Sequence, residues 1–88
     1  MTEIVNNKII TAQGRELVTL MDDYGTESHV YILVTDPANR QRYIDAATAT
    51  LDSNQTAMEA YAKTHNIDLT AQKAAGAAKK LAAKAKLG

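Results

Sequence analysis

Five lysines near the C-terminus are the residues whose type and spacing most directly suggest chemistry. Residues 70–88 hold no acidic residue, and their basic residues are Lys73, Lys79, Lys80, Lys84 and Lys86. Ammonium groups without neighbouring carboxylates can neutralise phosphates, which gives sequence-tolerant binding to DNA or RNA that weakens steeply with salt. These five lysines are therefore candidate phosphate contacts.

Two arginines extend this candidate set. Arg40 and Arg42 fall in the first turns of a predicted helix, where the helix dipole disfavours cations. One explanation is an external phosphate. The other is an internal salt bridge to the acidic turn that contains Asp22, Asp23 and Glu27, and Arg42 also has Asp45 three residues further on.

A second interpretation of the lysines is that they keep an Ala-rich helix soluble and interact favourably with its C-terminal end. The chain carries ten basic and ten acidic residues, so its net charge is zero. The segment has no Arg, the residue that most often reads bases, and no aromatic side chain for stacking on single strands. These features argue against strong nucleic-acid binding.

The same segment has an apolar row on the other side of the helical wheel. Its members, Ala74, Ala78, Leu81 and Ala85, are spaced by four, three and four residues. This is a heptad pattern with small side chains, which lets two helices approach closely. We expect this row to pack on another helix of the chain or on a second copy, with the lysines exposed.

Residues for catalysis are sparse, and we expect no enzyme activity and no cofactor. The chain has no Cys, which excludes thiolate metal sites and a Cys nucleophile. Ser28 and His29 are neighbours in a predicted strand, so their side chains point to opposite faces. Asp22, Asp23 and Glu27 fit no calcium-binding loop, and we interpret them as a solvated acidic turn.

The charges divide the chain into two halves. Residues 1–36 carry a net charge of −4 and residues 37–88 a net charge of +4. Such a division often marks an interaction surface or tail. Alternatively, the two halves attract each other within the fold.

Short runs of β-branched residues before residue 36 predict three strands. Gly14 and Gly25 separate these runs and permit the positive φ of tight reversals, so an antiparallel meander is expected. In the third strand Val30 and Ile32 point to one face and Tyr31 to the other. Because both faces are apolar, we expect this strand to be well covered.

Helical patterns follow from residue 36 onward. Asp36 and Pro37 predict a helix start, and residues 52–54 predict a break between a first and a second helix. Asn66 predicts a helix end in the left-handed conformation. Thr70 then caps a third, Ala/Lys-rich helix that reaches Lys86, frays at its end and is weakened by Gly76.

These patterns predict an α+β fold, a three-stranded antiparallel meander followed by two or three helices. Residues 1–69 are expected to form a compact β-β-β-α-α domain, and residues 70–88 a basic helix or tail of the same domain. The leading hypothesis is a small cytoplasmic, non-enzymatic binding or regulatory protein of the inhibitor or adaptor type. It acts through protein–protein contacts and forms a homodimer, with no membrane association. The alternative is a nucleic-acid-associated protein of low sequence specificity.

Overall fold

A computed structural model of the protein describes residues 1–85, which form an α+β fold. Three strands, β1 (Glu3–Ile10), β2 (Arg15–Met21) and β3 (Glu27–Leu33), precede two helices, α1 (Pro37–Thr64) and α2 (Thr70–Ala85). The strands form one antiparallel sheet in the order β1-β2-β3. The predicted meander is confirmed. Neither helix in this part of the chain has the length and apolar character needed to cross a bilayer.

Glycines make both reversals of the meander. Gly14 follows a 3₁₀ turn over Thr11–Gln13 and has φ 62°, and Gly25 lies in the β2–β3 turn with φ 82°. Both values are in the left-handed region, where a side chain is disfavoured. The predicted positive φ at both glycines is confirmed. The β2–β3 register is regular throughout, whereas β1 has a bulge between Ile4 and Asn6.

The hydrophobic core lies between α1 and one face of the sheet. Val18, Leu20 and Ile32 contribute from the strands, and Ile44 and Leu51 from α1, with Val30 and Ala47 packed around them. Alternation along β2 and β3 places the even-numbered residues on this face. The odd-numbered residues therefore form the opposite face of the sheet.

α1 is a single helix of 28 residues, so the break predicted at residues 52–54 is wrong. The polar residues there are used in tertiary contacts instead of a cap. Asp52 accepts a hydrogen bond from the Thr2 backbone at 3.1 Å, and Gln55 bonds both the backbone and the carboxylate of Asp23. These contacts stabilise the helix in the sequence region where local propensity favours an interruption.

The predicted helix boundaries at residues 36 and 66 are confirmed, although their bonding differs in part. Asp36 is the N-cap and Pro37 the first helical residue, but the Asp36 carboxylate accepts from the side chain of Asn39 and no backbone N–H. Asn66 has φ 56°, as predicted. At the start of α2 the side-chain acceptor is Asp68, whose carboxylate bonds the backbone N–H and the hydroxyl of Thr70.

α2 folds back over the end of the sheet. Its one buried residue within Thr70–Ala85 is Gly76, which lies against the backbone of Asp23 and Tyr24 in the β2–β3 turn. Lysines of α2 reach Glu3 on β1 and Glu27 on β3. Met21, which lies between those two acids in the register, is 1% exposed. The helix therefore covers the end row of the sheet face opposite α1.

Candidate protein-interaction surface

The sheet face opposite α1, called here the outer sheet face, is only partly covered. The strand register arranges it in cross-strand rows, and α2 covers the row that contains Met21. The rows at the other end contain Leu17 between Lys8 and Tyr31, and Arg15 between Ile10 and Leu33. Tyr31 is 53% exposed and Leu33 48% exposed. The expectation that β3 is covered on both faces is therefore wrong for this face.

The apolar row of α2 is also uncovered. Ala74, Ala78, Leu81 and Ala85 are all exposed, and the exposed fraction of Leu81 is 69%. The helix instead turns Gly76, Lys80 and Ala83 toward the rest of the chain, since these are its less accessible residues. Close approach at Gly76 and the ion pairs of Lys80 fix this orientation. Within residues 1–85, the row that heptad spacing predicts as a packing face is left without a partner.

Three of the five candidate phosphate-binding lysines form ion pairs with the acidic half of the chain. Lys79 donates to the Gly25 carbonyl at 2.8 Å and lies 3.3 Å from Glu27. Lys84 lies 2.6 Å from Glu3. Both side chains stay exposed, as expected, although each contacts a carboxylate.

Lys80 is the most enclosed of these cations, with a side chain 12% exposed. It donates to the Met1 carbonyl at 2.6 Å and to the Asp23 carboxylate at 3.1 Å, and Glu3 lies 3.9 Å away. Mutual attraction of the two charged halves, one of the two explanations open from the sequence, accounts for these contacts.

The remaining candidate cations are differently placed. Lys73 is exposed and forms no ion pair with the described residues, and Lys86 lies outside them. Arg40 makes an internal salt bridge, but its partner is Glu16 on β2 and not the acidic turn. The Arg40 guanidinium bonds both Glu16 carboxylate oxygens, at 2.8 and 3.1 Å. Arg42 lies 5.9 Å from the centre of the Tyr43 ring, and Asp45 accepts from Gln41 instead.

Internal contacts also occupy the acidic β2–β3 turn. The buried Asp22 carboxylate accepts the backbone N–H groups of Tyr24 and Thr26, both at 2.9 Å. The N-terminal ammonium, together with Gln55 and Lys80, holds the pKa of Asp23 well below its ordinary range. Residues 1–85 contain no cluster of His, Asp and Glu arranged to hold a metal ion. The turn is thus a structural junction between the sheet and both helices.

On the outer sheet face, a hydroxyl, an imidazole and a carboxylate lie next to one another in the order found in a nucleophilic triad. Thr19 Oγ1 lies 3.2 Å from His29 Nδ1, and His29 Nε2 lies 3.5 Å from a Glu27 oxygen. A working triad also needs a site for the reacting carbonyl beside donors for its oxyanion. Here half of the His29 side chain is exposed, and no enclosed pocket occurs among the described residues. The arrangement therefore supports no assignment of a reaction.

The overall dimensions indicate incomplete burial. The radius of gyration is 14.8 Å, whereas about 12 Å is typical of a compact domain of this length. The accessible surface is 5830 Å², about 800 Å² more than a compact monomer of this mass exposes. Both values reflect an elongated shape, with principal extents of 47, 26 and 15 Å.

Sequence reasoning identified the apolar row of α2 and the cations, but missed two features of the surface. It did not predict that the outer sheet face would be uncovered beside α2, because the strand pattern alone cannot say which face a helix occupies. It also missed Glu16, a carboxylate on the core side of β2, as the partner of Arg40. Comparisons of the chain with protein-family models, curated proteins and solved structures find no match.

Proposed function

We propose that this protein is a small binding or regulatory protein that acts through protein–protein contacts and self-associates. The observation that carries the proposal is the apolar surface that is left uncovered at two places in the fold. It combines Leu17, Tyr31 and Leu33 of the outer sheet face with the exposed apolar row of α2. Exposed apolar patches are typical of interaction sites.

Self-association is favoured because the two parts of this surface complement each other. One is a flat sheet face and the other a helix with small side chains and a single projecting Leu81. A second copy carries both patches and can therefore cover either of them in a two-fold dimer.

Nucleic-acid binding remains the competing function, and the ion pairs of α2 disfavour it. A phosphate that binds Lys79, Lys80 or Lys84 has to replace a carboxylate already in contact with that side chain. Counterion release, the main source of affinity for nucleic acid, is correspondingly reduced. Lys73 and Arg42 are the described members of the predicted set without a carboxylate partner.

Sedimentation equilibrium of the full chain, from low micromolar to millimolar concentration, tests the proposal. We expect a monomer–dimer equilibrium that Tyr31→Lys weakens by about tenfold or more, since a buried charge opposes apolar association. A similar loss for Leu81→Lys would place the apolar row of α2 in the interface. Ile67→Lys is the matched control, because Ile67 is an exposed apolar residue in the α1–α2 connection. A chain that stays monomeric throughout this range contradicts self-association.

A titration of labelled duplex and single-stranded nucleic acid with the full chain tests the competing function, nucleic-acid binding. We expect no binding at low salt. Binding that falls about tenfold or more between about 50 and 200 mM salt would favour phosphate contacts instead. Lys73→Gln and Arg42→Gln would then identify the cations involved.

A further inference from the structure

The backbone of β3 offers a regular set of unpaired groups at one edge of the sheet. The Asp22 N–H donates to the Thr26 carbonyl at 3.1 Å, and the Val34 N–H donates to the Gly14 carbonyl at 2.9 Å. Both bonds lie in the same regular β2–β3 register, so the even-numbered residues of β3 bond to β2. The N–H and C=O groups of its odd-numbered residues therefore point away from the sheet. These residues are Glu27, His29, Tyr31 and Leu33.

The opposite edge of the sheet differs in ways that hinder strand addition. β1 is interrupted by its bulge at Val5 and carries Lys8. Bulges and lysines are the usual means by which edge strands avoid pairing with other chains. β3 has no bulge, no Pro and no Lys over its seven residues. Of the two edges, β3 is the one open to a further strand.

We propose that β3 pairs antiparallel with β3 of a second copy, so that two sheets join into one of six strands. This inference rests on the proposed self-association and places the contact between the copies at the sheet edge, with the apolar row of α2 left exposed. A second copy is the fitting occupant because it presents the same seven unprotected residues. Pairing of a strand with its own copy also produces the closed two-fold symmetry of most homodimers.

The unpaired backbone groups specify the register. When Val30 lies on the two-fold axis, Glu27 is opposite Leu33 of the other copy, and His29 is opposite Tyr31. All four outward-pointing residues of each strand then exchange both backbone hydrogen bonds with the other copy. Shifting the axis to His29 or Tyr31 leaves one end of each strand unpaired. The midpoint of β3 is therefore the favoured axis.

This register also continues the exposed apolar surface across the dimer. His29 of one copy lies beside Tyr31 of the other on the outer sheet face, at the spacing of a cross-strand pair. On the core face the two copies of Val30, which are partly buried in the monomer, contact each other. The outer sheet faces then merge into one surface, on which Leu17, Tyr31 and Leu33 of both copies lie together.

Single cysteine variants test the register, because the natural chain has no Cys. At a non-hydrogen-bonded position on the axis the two Cα atoms are about 4.5 Å apart, within the range that a disulfide spans. At His29 or Tyr31, one residue from the axis, the equivalent Cα atoms of the two copies are also displaced by about 7 Å along the strands. Their separation therefore exceeds the range that a disulfide spans. We therefore expect Val30→Cys to form disulfide-linked dimers at least about tenfold faster than His29→Cys or Tyr31→Cys. Leu81→Cys on α2 is the control for a helix-mediated dimer.

Hydrogen exchange of the unmodified chain gives a second measurement that does not depend on a variant folding. We expect the amides of Glu27, His29, Tyr31 and Leu33 to become more protected as the protein concentration rises. The amides of Asn7 and Ile9 on β1 should not change. This pattern assigns the new hydrogen bonds to one edge of the sheet.

The outcomes separate this inference from the proposed function. If dimers form while Leu81→Cys cross-links and the β3 amides exchange as in the monomer, the β3 pairing is wrong and self-association stands. If the chain remains monomeric at every concentration, the proposed self-association fails and the pairing fails with it. Preferential cross-linking of Val30→Cys, together with concentration-dependent protection of β3, supports both.

Discussion

Gly76 of α2 lies against the backbone of Tyr24, so closely that a Cβ atom placed on Gly76 would be 2.5 Å from the Tyr24 Cα. This contact brings the helix onto the β2–β3 turn and places Lys79 and Lys80 within reach of the turn. From the sequence alone, Gly76 is only a residue that weakens an otherwise strong helix. In the fold it is the position that allows α2 to dock.

Gly76→Ala therefore tests whether docking outweighs helix propensity. The substitution favours the helix by about 1 kcal/mol, but its methyl group meets the backbone of residues 23 and 24, which cannot move without distorting the turn. We expect a net loss of about 1–3 kcal/mol in the free energy of unfolding, measured in urea. Ala78→Gly, at an exposed position of the same helix, is the control and should cost about 1 kcal/mol. A more stable Gly76→Ala variant would show that α2 is not docked at this point.

Lys80 should contribute more to the docking of α2 than any exposed lysine of the helix. Its ammonium group hydrogen-bonds the Met1 carbonyl and the Asp23 carboxylate in a largely enclosed position. We expect Lys80→Met to lower the free energy of unfolding by about 1–3 kcal/mol, because Asp23 loses a charged partner. In the Lys80→Met variant, hydrogen exchange should be faster for the amides of α2 than for those of the sheet.

Lys73→Met is the matched control for that experiment. Lys73 is on the same helix and is exposed, and it has no ion pair with the described residues. We expect a change within about 0.5 kcal/mol. Equal effects of the two substitutions would mean that the ion pairs of Lys80 add no stability.

The strands and the helix ends were predictable because local signals determine them. Gly14, Gly25 and Asn66 adopt positive φ for the steric reasons that their types suggest, and Pro37 begins α1. The prediction of a break at residues 52–54 was wrong because the continuity of the helix there depends on long-range partners. The sequence could not show that Asp52 would bond the Thr2 backbone.

The sequence could indicate which residues form the candidate surface, but not which of them stay exposed. Heptad spacing groups Ala74, Ala78 and Leu81 on one face of α2, but it could not say that this face would stay exposed. The reason is that Gly76 permits a closer approach to the turn than any Cβ-bearing position. Once that side docks, Lys79 and Lys80 meet the acidic turn and the apolar row stays exposed.

The ion pair of Arg40 and Glu16 should stabilise the fold because the carboxylate is nearly enclosed. The Glu16 side chain is 10% exposed, accepts two hydrogen bonds from Arg40 and accepts a third from Asn7. Arg40→Met leaves this carboxylate without its cation. We expect a loss of about 1–3 kcal/mol at neutral pH, measured by urea unfolding. Arg42→Met, at an exposed arginine of the same helix without an ion pair to the described residues, should change little.

The cost of Arg40→Met should depend on pH in a direction that the Glu16 contacts determine. Hydrogen bonding from Arg40, and then from Asn7, holds the pKa of Glu16 below its ordinary value, against the effect of burial. A carboxyl with a lowered pKa in the folded state stabilises the fold fully above its unfolded pKa of about 4.3. This stabilisation is lost as the pH falls through the folded pKa.

The difference in unfolding free energy between the natural chain and Arg40→Met should therefore be largest near neutral pH and shrink below about pH 4. Four other carboxyl groups also have lowered pKa values, namely those of Glu3, Asp23, Asp52 and Asp68. Both proteins contain these groups, so their contributions to the pH dependence of stability cancel in the difference. Urea unfolding over a series of pH values measures it, with Arg42→Met expected to give a flat, small difference. A difference for Arg40→Met that stays constant into the acid range would show that Arg40 stabilises α1 by packing and not through the charge of Glu16.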